Sequence, residues 1–515
     1  MAFFNRQGLT QGGFSKSVGY TTPGGLWTKP VPSSPMGIAQ WAARIGGTGN
    51  DEGNGVTTDS LGNIYVTGTY QSNPVTIYNS DGSTFGTLVN SSYGNGSIVK
   101  YNSSGTVQWA TRIGGTGGSQ ADSALGIKSD SSGNIYVTGG YYTNPVTIYN
   151  SDGSTFGTLA NSGIQDGYFV KYNASGTAQW ATRIGGTARK TGTAITSDSS
   201  GNMYVIGTYE SNPVTVYNSD GSTFGTLANS GLSDVFVVKY NSAGTTQWAA
   251  RISGTGNDYS SRITSDSSGN IYVTGSYASN PVTVYNSDGS TFGTLVCSGS
   301  LDIFIVKYNS SGTAQWTARI GGSDYETSQS ITSDSSGNIY VTGSYQSNPV
   351  TIYNSDGSTF GTLTNYGIFN IIIVKYNSSG TAQWATQIGG STFEQAGQLT
   401  SDSFGNIYVT GNYQSNPVTV YNSDGSTFGT LTNYGYSNLC IVKYNSAGTA
   451  QWATQIGGSS YDFGISVTSD SPGNIYVAGS YQSNPVTVYN SDGSTFGTLV
   501  NSGVNDIFIV KYVSS

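Results

Sequence analysis

Carboxylate side chains occur in six of the seven variable stretches that follow Ile-Gly-Gly or Ile-Ser-Gly in the repeats of this chain. Two carboxylates are enough to hydrolyse a glycosidic bond, so acids that meet in the folded chain could serve a polysaccharide-active enzyme. Nothing in their spacing selects one pair, and this enzyme is the most distant function that we consider. The candidate ligand-binding residues in these stretches are Asp51, Glu52, Asp122, Arg189, Lys190, Asp258, Tyr259, Asp324, Tyr325, Glu326, Phe393, Glu394, Tyr461 and Asp462.

The residues needed for other kinds of catalytic site are missing from the sequence. The chain contains no histidine, which excludes Ser-His-Asp and Cys-His sites, HExxH zinc sites and imidazole bases. Its two cysteines, Cys297 and Cys440, lie two repeats apart, so we expect neither a zinc–thiolate site nor a disulfide between them. We therefore predict no catalytic residue, no metal ion and no cofactor.

Aspartate also recurs in two turn sequences, Asp-Ser-x-Gly-Asn and Asn-Ser-Asp-Gly-Ser. Calcium usually takes six to eight oxygen ligands, several of them carboxylates, and neither sequence is that rich in acids. We interpret these aspartates as turn formers, whose side chains accept hydrogen bonds from their own backbone.

The motifs recur because the chain is a sevenfold repeat. Self-similarity at a fixed period indicates a repeat architecture. In each unit, four runs of β-branched and aromatic residues are bounded by Gly, Ser, Asn and Asp, which predicts four strands. Successive tryptophans are 68, 71, 68, 68, 68 and 68 residues apart, and they are Trp41, Trp109, Trp180, Trp248, Trp316, Trp384 and Trp452.

Seven strand-rich units predict an all-β chain with a single seven-bladed β-propeller of four-stranded blades. The chain stops soon after residues 507–512, without the strand that ends every other unit, and residues 38–45 supply that strand at the other end. We predict that residues 38–45 complete the last blade, which removes an exposed edge. The domains are then an arm, 1–37, and the propeller, 38–515.

Each unit also carries an insert, Pro-Val-Thr-(Ile/Val)-Tyr-Asn-Ser-Asp-Gly-Ser-Thr-Phe-Gly-Thr-Leu, between its second and third strands. Asp-Gly between two such runs is a strong hairpin signal. We expect a hairpin in each blade, seven in all, crowning one face of the ring beside the variable stretches. Variable loops on a rigid scaffold concentrate binding residues, so the candidate residues predict a ligand site on this face. The alternative is that they are ordinary solvated loop residues.

The order of three motifs over residues 38–512 resembles the SBBP family of β-propeller repeats. The motifs are W-A-x-R-I-G-G, S-D-S-x-G-N-I-Y-V-T-G and F-I-V-K-Y-N. The resemblance implies a non-enzymatic module, mostly extracellular or on a surface, of a kind also found in proteins of large DNA viruses. It supplies no catalytic residues.

Charge separates the arm from the propeller. The formal net charge is −8, but residues 1–37 hold three basic residues and no acid, so the arm is +3 and the remainder −11. An acidic body disfavours nucleic acid and anionic membranes. No apolar stretch is long enough for membrane insertion, and no signal peptide is visible. We expect the arm to bind protein partners in a larger assembly through Phe3, Phe4, Phe14, Tyr20 and Trp27.

These observations favour a non-enzymatic structural or binding propeller on the surface of a particle, such as a virion, or outside cells. The alternative is a secreted carbohydrate-binding or adhesive, lectin-like propeller, so glycans are candidate partners. A polysaccharide-active enzyme is the distant third.

Overall fold

The computed structural model describes residues 37–513, and every regular element within them is a β-strand. β-Branched and aromatic residues fill the strands, and tight turns with glycine near their end separate them. In one such turn, Asp59 Oδ1 accepts hydrogen bonds from the backbone N–H groups of Leu61 and Asn63 at 3.0 and 2.9 Å. The side chain of this aspartate therefore serves its own turn.

The strands are numbered in chain order and fall into classes by their distance from the ring axis. The innermost strands are β2 (Asp51–Thr58), β8 (Ser123–Ser129), β14 (Lys190–Ser197), β20 (Asp258–Ser265), β26 (Glu326–Ser333), β32 (Glu394–Ser401) and β38 (Asp462–Ser469). The second strands are β3 (Ile64–Tyr70), β9 (Ile135–Tyr141), β15 (Met203–Tyr209), β21 (Ile271–Tyr277), β27 (Ile339–Tyr345), β33 (Ile407–Tyr413) and β39 (Asn474–Tyr481). The third strands are β6 (Asn95–Tyr101), β12 (Asp166–Tyr172), β18 (Asp234–Tyr240), β24 (Asp302–Tyr308), β30 (Asn370–Tyr376), β36 (Asn438–Tyr444) and β42 (Asp506–Val513).

The outer strands continue this order. The fourth strands are β1 (Ile38–Gly46), β7 (Val107–Gly115), β13 (Ala178–Gly185), β19 (Thr246–Ser253), β25 (Ala314–Gly321), β31 (Ala382–Gly389) and β37 (Ala450–Gly457). The hairpin strands are β4 (Val75–Tyr78), β5 (Thr84–Leu88), β10 (Val146–Tyr149), β11 (Thr155–Leu159), β16 (Val214–Tyr217), β17 (Thr223–Leu227), β22 (Val282–Tyr285), β23 (Thr291–Leu295), β28 (Val350–Tyr353), β29 (Thr359–Leu363), β34 (Val418–Tyr421), β35 (Thr427–Leu431), β40 (Val486–Tyr489) and β41 (Thr495–Leu499).

The described residues form seven antiparallel sheets of six strands, not four as the sequence predicted. A typical sheet has the order β20-β21-β24-β25-β28-β29, in which the last two strands are the insert of the following repeat. Ile320 of β25 pairs with Ile352 of β28 in this added hairpin. The inserts therefore extend the outer edge of the preceding blade, and the expectation that they crown one face is wrong. The physical reason is that the fourth strand would otherwise be an open edge.

The two ends of the described chain meet in one sheet. Strand β1 lies between β42 and β4 in the order β38-β39-β42-β1-β4-β5. Ala43 pairs with Ile509, and the register runs from Ile38 to Ile45. Residues 38–45 thus supply the fourth strand of the last blade, the position that the sequence predicts for them.

The hydrophobic core lies between the blades rather than within one of them. Trp248 packs on Tyr308 of the next blade, with ring centroids 6.3 Å apart, and its indole N–H donates to the carbonyl of Ser310 at 3.1 Å. The same bond joins five further pairs, Trp41–Ser103, Trp109–Ala174, Trp180–Ser242, Trp316–Ser378 and Trp384–Ser446. The position equivalent to Ser310 in the blade beside Trp452 is residue 514, outside the described residues.

A second set of interblade bonds surrounds the axis. Near the end of the innermost strands, a hydroxyl donates to the carbonyl of the equivalent residue in the preceding blade, as in Ser333 Oγ to Ser265 O at 3.0 Å. Six of the seven interfaces of residues 37–513 have this bond, with the other donor–acceptor pairs Thr58–Ser469, Ser129–Thr58, Ser265–Ser197, Ser401–Ser333 and Ser469–Ser401.

The predicted arm lies, apart from Gly37, outside the described residues, so the roles of Phe3, Phe4, Phe14, Tyr20 and Trp27 stay predictions. Within the described residues, no helix is long and apolar enough to cross a membrane.

The turn between the third and fourth strands of each blade packs against the preceding blade. A larger residue in this turn should therefore lower stability. Gly312 has a φ of 80°, and a Cβ there would lie 2.7 Å from the Cβ of Ser287 and 2.8 Å from the Trp248 ring. Gly312→Ala should therefore combine about 1–2 kcal/mol of backbone strain with about 1–3 kcal/mol of overpacking. The measurement is the midpoint of thermal unfolding.

Gly289 provides the control, because its φ is 84° and nothing lies within 4 Å of its Cβ position. Gly289→Ala should show the backbone strain alone. Equal losses in the two variants would contradict the packing argument.

Candidate functional site

The two variable stretches of each repeat come together at the interfaces between blades. The residue before a third strand forms a parallel bridge with the residue before the next innermost strand, as in Leu301 with Tyr325 and Phe369 with Phe393. These bridges occur at six interfaces of residues 37–513. We call this side of the ring, built from residues 47–50, 89–94 and their equivalents, the variable face.

Seven of the fourteen candidate residues are buried, at the first position of, or just before, the innermost strands. Asp462 shows the arrangement: Oδ2 accepts from Ser483 Oγ at 2.6 Å and from the Gly458 N–H at 2.8 Å. Oδ1 accepts from the Ser483 N–H at 3.1 Å. The sequence could not show that these side chains turn inward. They are Asp51, Asp122, Lys190, Asp258, Glu326, Glu394 and Asp462.

The other seven candidates lie at the surface of the variable face. Tyr325 is 50% exposed, and Phe393 is half-buried with its ring centroid 5.1 Å from that of Phe369. The exposed set is completed by Glu52, Arg189, Tyr259, Asp324 and Tyr461.

Three aromatic rings at one interface form what we call the aromatic ledge, Tyr436, Tyr461 and Phe463. The rings of Tyr436 and Tyr461 stack at 5.2 Å and 10°, and those of Tyr461 and Phe463 at 6.1 Å and 12°. Tyr436 is 66% exposed. Sequence reasoning named only Tyr461 of the three. The signal was present, since Tyr436 and Phe463 are the extra aromatics in the two variable stretches of this interface.

A polar cleft of about 600 Å³ lies elsewhere on the same face, between the first two blades. Its lining includes Glu52 and Tyr93 together with Gln120, which stands in the stretch that lengthens one repeat to 71 residues. In residues 37–513, no group of three or more acidic or cysteine side chains is placed to hold a metal ion.

The start of each third strand explains a substitution in the repeats. Asp302 Oδ2 accepts from Arg319 Nη1 at 3.0 Å, and Arg319 lies 3.9 Å above the ring of Tyr353. Where the arginine becomes Gln387, the third strand begins with Asn370 instead of aspartate. The blade with Gln455 changes in the same way, with Asn438 at the start of its third strand, so in these two blades neither partner of the pair is left charged. The first blade instead keeps Arg112 opposite Asn95, and its guanidinium donates to the carbonyl of Val89.

Where the arginine is absent, a different side chain lies over the tyrosine of the hairpin strand. In the blade with Gln387, Tyr366 stacks on Tyr421 at 5.7 Å and 18°, in the position where arginine lies over tyrosine elsewhere. The blade with Gln455 repeats this arrangement with Tyr434 on Tyr489 at 5.5 Å.

Buried charges also meet across the blade interfaces. Asp166 Oδ1 lies 2.9 Å from Lys190 Nζ, and both side chains are buried. At the interface two blades further on, Glu326 takes the place of Lys190 and Asp302 takes the place of Asp166. Asp302 Oδ1 has no hydrogen-bond partner. Burial raises the pKa of Glu326 to about 7, and the negative charge of Asp302 adds to the effect. A proton on this pair relieves the repulsion that two buried carboxylates would have.

The Asp302–Glu326 pair predicts a pH-dependent stability. A raised folded-state pKa means that unfolding releases a proton, so the stabilisation is complete below about pH 4.5 and is lost as the pH rises to about 7. Glu326→Gln should remove this loss. At pH 8 the variant should be more stable than the wild type, by about 1–3 kcal/mol. Unfolding midpoints from calorimetry between about pH 5 and 8 give the measurement.

The matched control is Glu394→Gln, because Asn370 stands at the equivalent of Asp302 and carries no charge. Its effect on the pH profile should be smaller. The same pH profile in the wild type and Glu326→Gln would rule out proton uptake at this pair.

Comparison with known proteins agrees with the repeat structure. The SBBP β-propeller repeat matches residues 40–73, 179–208, 247–276, 315–348 and 451–484. An uncharacterised WD repeat-containing protein of Acanthamoeba polyphaga mimivirus is 29% identical over 545 residues, which cover 93% of this chain and 39% of that protein. The regulatory protein FlaEY of Caulobacter vibrioides is 25% identical over 237 residues, 40% of this chain and 24% of that protein. The chain thus spans about two fifths or less of the length of these curated relatives.

Two solved structures resemble the chain at 10% identity. A Dyadobacter fermentans protein of unknown function covers 93% of this chain and 99% of its own, with a TM-score of 0.39. A mutant of the NanB sialidase from Streptococcus pneumoniae covers 94% and 71%, with a TM-score of 0.35. The chain is thus a seven-bladed β-propeller, and five of its segments match the SBBP β-propeller repeat.

Proposed function

We propose that this protein is a non-enzymatic binding and structural propeller, displayed on the surface of a particle such as a virion or outside cells. The proposal rests on the different exposure of acidic and aromatic side chains on the variable face. The acids that begin or directly precede the innermost strands are buried and accept hydrogen bonds from backbone N–H groups, whereas rings such as Tyr325 and Tyr436 are exposed. Exposed aromatic groups on a rigid scaffold suit recognition of a partner.

The two exposed acids among the candidate residues, Glu52 and Asp324, stand in different blades. Glu52 belongs to the first blade and Asp324 to the loop before the fifth, so they lie in blades that are not neighbours. Glu52 also accepts a hydrogen bond from Asn50 at 2.8 Å. Glycoside hydrolysis needs two carboxyl groups about 5–10 Å apart, held in one site. A scaffold is the simpler function.

The particle location is supported by the mimivirus relative and by the composition of the arm. The arm is +3 and carries five aromatic residues, while the remainder of the chain is −11. A basic, aromatic segment can bind a partner surface both by charge and by apolar contact. The arm is therefore the anchor, and the variable face is the side presented outward.

Removal of residues 1–37 should separate folding from assembly. The deleted protein should keep its thermal transition, because the strands from β1 onward are intact, but it should no longer sediment with the large particle of its native source. Sedimentation of the full chain and of the deletion variant through a density gradient is the measurement. Unchanged association of the deletion variant would refute the anchoring role.

Two full-length variants distinguish whether the arm binds its partner through its aromatic residues or through its positive charges. One replaces the aromatic residues by serine, at Phe3, Phe4, Phe14, Tyr20 and Trp27. The other replaces the basic residues by serine, at Arg6, Lys16 and Lys29. Only the second should change how steeply association depends on salt, because salt screens charge–charge attraction.

Carbohydrate binding is the second candidate, and the aromatic ledge favours it. Two rings stacked with their planes only 10° apart extend one apolar platform, with Tyr436 two-thirds exposed. Sugar rings present apolar C–H faces that pack on aromatic faces, while hydroxyl groups bond at the edges.

Tyr436→Ala combined with Tyr461→Ala should abolish glycan binding on an array if the ledge is a sugar site. Tyr259→Ala is the control, because Tyr259 is 43% exposed and lies on the variable face away from the ledge. An array without signal for the wild type, or equal loss in the control, would remove the sugar-binding candidate.

A further inference from the structure

The central channel has the opposite charge from the protein as a whole. Its walls are formed by three residues from each innermost strand, together with Leu125. Lys128 and Arg262 are the only charged side chains of this lining, and none is acidic, although the chain has 27 acidic and 19 basic residues. The strand segments are 55–57, 126–128, 194–196, 262–264, 330–332, 398–400 and 466–468.

Arg262 bridges strands across the channel. Its Nη1 donates to the carbonyl of Thr193 at 3.0 Å. The amide of Gln398, with its oxygen toward Arg262, accepts from Nε at 3.2 Å, and its nitrogen donates to Ser466 Oγ at 2.9 Å. Burial lowers the pKa of Arg262 to about 10, which still leaves it protonated at neutral pH. These partners are neutral, so the positive charge stays in the channel.

Arg262 occupies the first of the three channel positions of its strand, whereas Lys128 occupies the third position of strand β8. At this third position the other six innermost strands carry threonine. The side chain of Lys128 is exposed within the channel, and it forms none of the ion pairs of residues 37–513. Enclosure by the walls lowers the pKa of its ammonium group, as expected for a charge that has lost bulk water. The other blades place at this level Thr57, Thr196, Thr264, Thr332, Thr400 and Thr468.

We propose that the channel binds a small oxyanion at Lys128, with threonine hydroxyls as further donors. An ammonium group offers three N–H donors and each hydroxyl one, which suits the several oxygens of a phosphate or sulfate ion. Thr264, Thr332, Thr400 and Thr468 are half-buried at the wall and therefore within reach of the lumen. Walls of low dielectric strengthen the attraction between Lys128 and an anion, and Arg262 adds a second positive charge one level away.

The test is isothermal titration of the full chain with inorganic phosphate at low ionic strength, and sulfate as competitor. We expect one site per chain with a Kd of about 1 mM or tighter. Lys128→Gln should weaken binding at least about tenfold. Thr332→Val, which removes one hydroxyl at constant shape, should weaken it about twofold to fivefold.

The matched control is Lys171→Gln, which removes the same charge outside the channel, where the ammonium group donates to Ser242 O at 3.3 Å. Its affinity for phosphate should equal that of the wild type. Thermal unfolding of each variant verifies that it is folded. Absence of saturable heat in the wild type would overturn the proposal. Equal weakening by Lys171→Gln and Lys128→Gln would also overturn it, since binding would then follow overall charge rather than the channel.

Discussion

The contact between neighbouring blades is the interaction on which this ring depends. A blade is one sheet thick, so it buries both faces only when it has a blade on each side. The indole of Trp248 shows how one side chain serves the contact, since its ring packs on Tyr308 while its N–H bonds to Ser310. Hydroxyl groups near the axis add a second belt of bonds between the same blades. Contacts of this kind recur around the ring and close a circle, so each blade depends on its two neighbours for burial of its faces.

Exchange of hairpins strengthens this dependence. Because β28 and β29 add to the sheet of the preceding repeat, each outer edge is covered by a segment from another repeat. The last sheet extends the principle, since it combines β38, β39 and β42 with β1 and with the hairpin β4–β5. One sheet thus joins both ends of the described chain to the first repeat. Opening the ring at this sheet would break the pairing of β1 with β42.

Different blades place different side chains at the same position beside the hairpin strand. Arg319, Asp302 and Tyr353 form a charged set in one blade, and amides with a tyrosine stack form a neutral set in another. Both sets place a flat side chain over the tyrosine of the hairpin strand, so the interface accepts a charged or a neutral version. The scaffold is then constant while the exposed residues vary, which is the condition for a binding surface.

Much of the fold follows from the sequence alone. The spacing of the tryptophans determined the number of blades, and the incomplete last repeat determined that residues 38–45 close the ring. Both are periodic or local signals, which a sequence carries directly. The turn aspartates were readable for the same reason, because their partners are two to four residues away.

Only the tertiary structure decided which edge each hairpin joins and which acids are buried. The pairing of Ile320 with Ile352 links different repeats, and the hairpin signal is the same whichever edge it meets. Likewise, Asp462 and Tyr461 are adjacent, yet one turns inward to Ser483 and the other stacks at the surface. The direction of a side chain at an interface depends on the neighbouring blade, and that neighbour is set by the closed ring rather than by local sequence.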